Sequence, residues 1–210
     1  MQKRELERRL SSLAGFESPR PEFEQYPTPA WLAAHLVHLA SLQGDVRDQT
    51  VIDLGSGTGL LALAATTRGP TRVIGLERDE KALAVARQNE QSFNPPVSVD
   101  WMLGDAAKAP FAHDGQATVL MNPPFGAQRG NEHADRAFLA ATASFAAVSY
   151  SIHNAGSEAF IEAFVSDQGG VVTHAFEATF AIDRQFDFHD EARKELPVEV
   201  YRIDWHPKTE

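Results

Sequence analysis

The chain contains no cysteine among its 210 residues. That excludes a disulfide framework, a thiolate nucleophile and a Cys-ligated metal, and it fits a cytoplasmic protein. No apolar run reaches the ~18 residues that a membrane-spanning helix needs. The first ten residues, Met1 to Leu10, are mostly charged and lack the apolar centre of a signal peptide. Positive charge is scarce: 19 Lys and Arg stand against 29 Asp and Glu, a net charge of -10. A nucleic-acid enzyme usually carries a basic footprint. Here either the surface is suited to high salt, or a partner supplies that affinity. Internal repeats, low-complexity tracts and interdomain linkers are also missing. What remains is 43% hydrophobic and 23% charged, the balance of a globular protein with an ample core. The length suits a single domain over residues 1–210.

Strand and helix patterns alternate along most of the chain. Lys3 to Leu13 reads as an amphipathic helix with Leu6, Leu10 and Leu13 on one face. Thr28 followed by Pro29 reads as an N-cap with proline at the first helical position of a helix running to about Leu42. Val51 to Leu54, Arg72 to Glu77, Val97 to Leu103, Ala117 to Met121 and Ala146 to Ile152 read as strands one to five. Helices are expected over Leu60 to Thr66, after an Asp79 cap, from near Ala134, and over Ser157 to Ser166 with Ser157 as its cap. Val171 to Ile182 and Val198 to Trp205 read as the last strands, joined by an acidic loop, Asp183 to Leu196. The pattern predicts an α/β fold: a doubly wound, seven-stranded, mostly parallel sheet ending in an antiparallel hairpin.

Two motifs carry chemistry. The first is Asp53-Leu54-Gly55-Ser56-Gly57-Thr58-Gly59-Leu60, between strand one and the helix that follows. Its glycines let the backbone approach a ligand, and a helix N-terminus comes next. No Gly-Lys-Ser/Thr follows, so it is not a phosphate-binding P-loop. The acidic-x-Gly-x-Gly-x-Gly spacing is typical of S-adenosylmethionine (SAM) sites. Glu77 then ends strand two, where an acid accepts hydrogen bonds from both ribose hydroxyls. Asp105, after strand three, is placed for an adenine amine with the Ala106 N–H nearby. Plain turn and capping roles are the alternatives for both acids.

The second motif is Asn122-Pro123-Pro124-Phe125, at the carboxyl end of strand four. Ligands bind at that end of open α/β sheets. The cluster suits methylation of a planar NH2 group, whose lone pair is delocalised and poorly nucleophilic. The Asn122 side-chain oxygen and the Pro123 carbonyl can each accept one N–H. Pro124 has no competing N–H. Phe125 offers a stacking face for a flipped-out base. The alternative is a strand-ending turn with a core phenylalanine.

Taken together, the two motifs resemble a class I SAM-dependent methyltransferase with a Rossmann-like fold. Glu5-Leu6-Glu7, Gly15-Phe16-Glu17, Glu24-Gln25-Tyr26-Pro27-Thr28, Asn122 to Gly126, Asp135 with Phe138-Leu139, Tyr150-Ser151-Ile152-His153 and Phe188-His189 resemble the methyltransferase-like protein five family. Mixed charge follows Phe188-His189 where eukaryotic relatives carry a lysine run, so the likeness is to an archaeal-type member. The resemblance implies N6-adenine methylation of small-subunit ribosomal RNA. It implies SAM contacts from Gln25, Tyr26, Thr28, Asp53, Gly55, Gly57, Thr58, Gly59, Leu60, Glu77, Asp105 and Ala106, with residues 1–28 forming a terminal helix and a segment over the cofactor. Asn122, Pro123, Pro124 and Phe125 would be catalytic, and no metal site is expected. It also implies a small zinc-binding activator protein along strand three, an edge whose Val97, Val99 and Trp101 would need cover. Two other readings stand beside it: methylation of a protein glutamine amide, and a SAM-binding ribosome-assembly factor without turnover.

Overall fold

Strands β1 (Thr50–Leu54) and β4 (Ala117–Met121) lie side by side at the centre of one sheet. The computed structural model describes residues 1–111, 116–125, 134–183 and 193–206. On one side of β1 lie β2 (Arg72–Glu77) and β3 (Val99–Leu103). On the other side of β4 lie β5 (Ala146–Asn154), then β7 (Arg193–Asp204) and β6 (Val171–Asp183). The order is β3-β2-β1-β4-β5-β7-β6. The first five pair in parallel, whereas β7 runs antiparallel to both β5 and β6.

Strands buried on both faces need apolar residues throughout, and all five residues of β4 are buried. One face packs on helices α1 (Lys3–Leu10), α2 (Ala30–Leu42), α3 (Leu60–Thr66) and the end of α4 (Glu80–Phe93), through Leu6, Leu32, Leu36 and Phe93. The other face packs on α5 (Ala134–Phe145) and α6 (Glu158–Asp167), through Leu139, Phe145 and Ile161. The expected doubly wound sheet with a terminal hairpin is present. Arg202 reaches Asp45 through both Nε and Nη2, tying the hairpin to the turn after α2.

Several boundaries differ from expectation. Helix α1 stops at Leu10, because the Ser11 and Ser12 hydroxyls donate back to the Glu7 and Arg9 carbonyls. Helix α2 starts at Ala30, and Thr28 makes no capping bond. Ser157 makes none either: the Glu199 carboxylate, from β7, accepts the Gly156 and Ser157 N–H groups instead. Strand β3 begins at Val99, whose N–H is taken by Glu90 of α4. Strand β7 begins within the expected acidic loop. Its Pro197 lies just beyond the end of β5, with its carbonyl accepting from the Ala155 N–H. The proline nitrogen shares that side, so the ladder to β6 loses no donor.

Close packing on β3 decides what its tryptophan does. Trp101 lies over Gly75 of β2 and Gly59, and its Nε1–H donates to Glu90 at 2.7 Å. A Cβ added at Gly75 would sit 2.4 Å from the ring. Gly75→Ala is therefore expected to lower stability by about 1–3 kcal/mol in urea unfolding. In a Trp101→Leu background the same substitution should cost clearly less. Equal costs in both backgrounds would show that the contact is not what limits this position.

Candidate active site

The sheet reverses its winding between β1 and β4, the place where open α/β sheets bind ligands. Leu54 pairs with Met121, so the glycine turn and Asn122 leave the sheet as neighbours. Above them lies a cavity of about 260 Å³. Gly55, Gly57 and Gly59 have φ of 75°, 53° and 91°, in the left-handed region open to glycine. Phe138 and Phe16 pack where side chains on Gly55 and Gly57 would stand.

Acid groups build one wall. Glu77 Oε2 accepts the Gly57 N–H at 2.9 Å and Oε1 accepts the Asp79 N–H at 2.8 Å. Burial nonetheless pushes its pKa up. Asp53 takes a core position on β1, 1% exposed, and accepts the Ala62 N–H of α3 at 2.8 Å. Burial raises its pKa to about 7. Asp105 caps the short turn Ala106–Lys108 through the Ala107 N–H.

Residues 14–28 close the cavity as a strap. Gln25 holds it with its whole amide: Nε2 donates to Asp79 at 2.7 Å and Oε1 accepts the Arg20 N–H. Asn89 of α4 holds the other end, bonding both backbone groups of Ala14 and the Thr58 carbonyl. Phe23 lines the cavity between the guanidinium groups of Arg20 and Arg78, at 4.2 and 4.6 Å. The basic residues of α1 are partly engaged in packing: Arg9 bonds the Phe93 carbonyl and lies over its ring.

Asn122 Nδ2 donates to Thr28 Oγ1 at 3.1 Å. Its Oδ1 is buried and has no hydrogen-bond partner among the described residues. A buried carbonyl without a donor costs about 1–3 kcal/mol, so the site retains an acceptor at a cost in stability. Glycine turn, acids and unpaired amide oxygen together suit a nucleoside-bearing cofactor and an acceptor with N–H groups to donate.

Gln25, Tyr26, Thr28, Asp53, Gly55, Gly57, Thr58, Leu60, Glu77, Asp105, Ala106, Asn122 and Pro124 all line the cavity. Gly59 lies beneath it, as the N-cap of α3 under Trp101. Pro123 is buried outside the lining, and Phe125 packs partly against the core beside α2. Gly126 and Phe188-His189 fall outside the described residues. Phe16, Phe23, Arg78 and Asn89 were not anticipated as site residues. Asn89 left a trace, because it interrupts the apolar stripe Ala82, Ala86, Phe93 of α4. The apolar side chains of β3 are largely covered: Val99 is buried, and Trp101 is half-buried with its Nε1–H on Glu90 of α4. Leu103, 61% exposed, is the uncovered one on that strand.

His153, one residue before the end of β5 and outside the cavity lining, is buried, with Nε2 3.0 Å from Ser151 Oγ and Nδ1 4.0 Å from Asp135 Oδ2. Burial lowers its pKa to about 4. Two buried groups therefore pull stability in opposite directions with pH. Asp53 binds its proton more tightly when folded, so its contribution is present below about pH 4 and lost as pH rises to about 7. The His153 contribution is present above its ordinary 6.5 and lost as pH falls towards about 4. Between about pH 4.5 and 6.5, Asp53→Asn should make stability rise more steeply with pH, and His153→Gln should make it rise less or fall. Urea unfolding at both ends of that range measures the slopes. Indistinguishable slopes in the two variants would contradict the assignment.

Residues 33–148 match the family model described as the methyltransferase small domain. A Methanocaldococcus jannaschii protein named as uncharacterized is 35% identical, covering 97% of this chain and 94% of its own length. The rRNA N(6)-adenosine-methyltransferase Mettl5 of Drosophila melanogaster is 32% identical over 96% of this chain and 95% of its own. A crystal structure of a candidate RNA methyltransferase from Pyrococcus horikoshii superposes with a TM-score of 0.87, at 38% identity over 97% of this chain and 98% of that one. With the cavity at the switch point and the motif on β4, these likenesses agree: the chain belongs to the Mettl5 family of SAM-dependent RNA methyltransferases, within the methyltransferase small domain.

Proposed function

We propose that the chain methylates the exocyclic N6 amine of an adenine in small-subunit ribosomal RNA. The observation that carries this reading is the buried, unpartnered Oδ1 of Asn122 on a cavity that also holds the glycine turn and Glu77. The Drosophila relative's name supports the same substrate class. When bound, SAM supplies an electrophilic methyl group. Glu77 would hold the cofactor's ribose hydroxyls, and Asp105 with the Ala106 N–H its adenine. The Gly55–Thr58 turn brings backbone close, and Gln25, Tyr26 and Thr28 close the strap.

The remaining work is positioning. Asn122 Oδ1 accepts one N–H of the target amine and the Pro123 carbonyl accepts the other. Both bonds strengthen as the nitrogen becomes tetrahedral, so they favour the transition state over the ground state. Pro124 brings no competing donor, and the partly buried Phe125 would offer the exposed part of its ring to the base. A strong base is unnecessary, because the proton becomes acidic only as the N–C bond forms. The chain works as one domain in the cytoplasm. The outer backbone edge of β3, with the exposed Leu103, is the proposed seat of a small zinc-binding activator that also supplies RNA affinity. A net charge of -10 supports that division of labour.

Labelled methyl transfer from SAM to small-subunit rRNA, followed by nucleoside digestion, should yield N6-methyladenosine, more of it with the activator present. Asn122→Ala should lower kcat by about 10²–10³-fold, the loss typical of one preorganised polar group, while still binding SAM. Label found only on a protein glutamine amide, or near-normal turnover by Asn122→Ala, would overturn this reading.

A further inference from the structure

Helix α2 leads away from the candidate site with one face uncovered. It starts two residues after Thr28, which meets Asn122 at the carboxyl end of β4. It ends three residues before Asp45, whose carbonyl accepts the Thr118 hydroxyl near the other end of β4. Trp31, in the first turn of α2, therefore stands at the cavity end of the sheet. The helix contains no Asp, Glu, Lys or Arg. Leu32, Leu36 and Ala40 are buried in the core. Trp31, His35, His38 and Leu42, spaced four, three and four residues apart, form the outward stripe. Of the three tryptophans Trp31 is the exposed one, at 37%, and it does not line the cavity. Lys3 Nζ lies 3.3 Å from His35 Nδ1, one helical turn along the stripe. An ammonium only donates, so the ring nitrogen accepts. Among the described residues Lys3 pairs with no carboxylate.

We propose that Trp31 is a stacking platform for a base of the RNA strand beside the target nucleotide, with Lys3 as a phosphate contact next to it. This inference rests on the RNA methyl-transfer reading above and names the surface over which the strand leaves the site. A flipped-out target leaves its neighbours partly unstacked, and an exposed aromatic face is what unstacked RNA bases bind. Charge narrows the path. The chain carries a net charge of -10, so phosphates are repelled by most of its surface. Helix α2 has no carboxylate, and the charged group bonded to its outward stripe is the cation Lys3. The stripe also begins where the strand must emerge, because Thr28 and Asn122 join the start of α2 to the second motif. Every base has a π-face, so the platform adds RNA affinity without reading sequence.

The test compares Trp31→Ala, Trp31→Phe, Lys3→Gln and Leu42→Ser in the full-length chain. Labelled methyl transfer to small-subunit rRNA gives kcat and the RNA KM, and calorimetry gives the SAM dissociation constant. Trp31→Ala should raise the RNA KM at least about fivefold, or ~1 kcal/mol. Its kcat at saturating RNA and its SAM affinity should stay within about threefold, and that SAM binding also shows that the variant is folded. Trp31→Phe, which keeps a ring, should recover most of the KM. Lys3→Gln should lower the slope of log KM against log salt by about 0.7, one phosphate contact on a single strand. Leu42→Ser, at the far end of the stripe, should leave the KM unchanged. A single-stranded, adenosine-containing oligoribonucleotide should quench tryptophan fluorescence in the unaltered protein and not in Trp31→Phe, which retains Trp101 and Trp205. The inference is overturned if Trp31→Ala raises the KM less than fivefold, if Trp31→Phe behaves like Trp31→Ala, or if the quenching survives in Trp31→Phe. It is also overturned if Leu42→Ser matches Trp31→Ala, which would mark the whole stripe as a protein-docking face. Should the unaltered protein form N6-methyladenosine while Trp31→Ala keeps an ordinary KM, this inference falls and the methyl-transfer reading stands. Should the unaltered protein methylate only a glutamine amide, with no quenching by RNA, both fall.

Discussion

The parallel ladder between β1 and β4 fixes where chemistry can happen in this molecule. Four pairs, from Val51 with Thr118 to Leu54 with Met121, set one register. A one-residue slip would turn every side chain to the opposite face. It would carry Asp53 out from under α3 and move Asn122 away from the glycine turn. The ladder is buried on both faces by two separate helical layers, so any such slip would expose apolar surface on both sides. The geometry proposed for catalysis thus rests on a part of the sheet buried on both faces.

Around that ladder, polar groups tie separate segments into one rim. Glu77 joins the glycine turn to the start of α4, Asp79 joins α4 to Gln25, and Gln25 joins the strap to Arg20. Asn89 fastens the beginning of the same strap. The wall of the cavity is therefore also a connection between chain segments. Thr28 extends the rim to Asn122, linking the strap to the second motif. Among the described residues, the buried polar groups of this rim that lack a partner include Ser56 Oγ of the glycine turn and the Asn122 oxygen that the chemistry would use.

The sheet was legible because parallel strands announce themselves as short apolar runs between turn signals, and the two motifs fall at their carboxyl ends. Lateral interactions were less visible. The Thr28-Pro29 pair has the local chemistry of a cap, but the fold assigns the hydroxyl to Asn122. Ser157 looked like a cap, and Glu199, distant in sequence, does that work. The apolar alternation of β3 suggested a surface awaiting cover, yet Trp101 is half-buried, packed over Gly75 and bonded to α4, a packing relation that no spacing along β3 encodes. Charged Arg193 to Glu195 read as loop because a strand paired across a hairpin needs no apolar face at its far end.

The central claim is that Asn122 presents an acceptor to the amine being methylated. A crystal structure of the protein with S-adenosylhomocysteine and an adenosine-containing oligonucleotide tests it most directly. The account predicts the adenine N6 within about 3 Å of Asn122 Oδ1. An adenine whose N6 points away from Asn122, or an Oδ1 taken up by the cofactor, would contradict it.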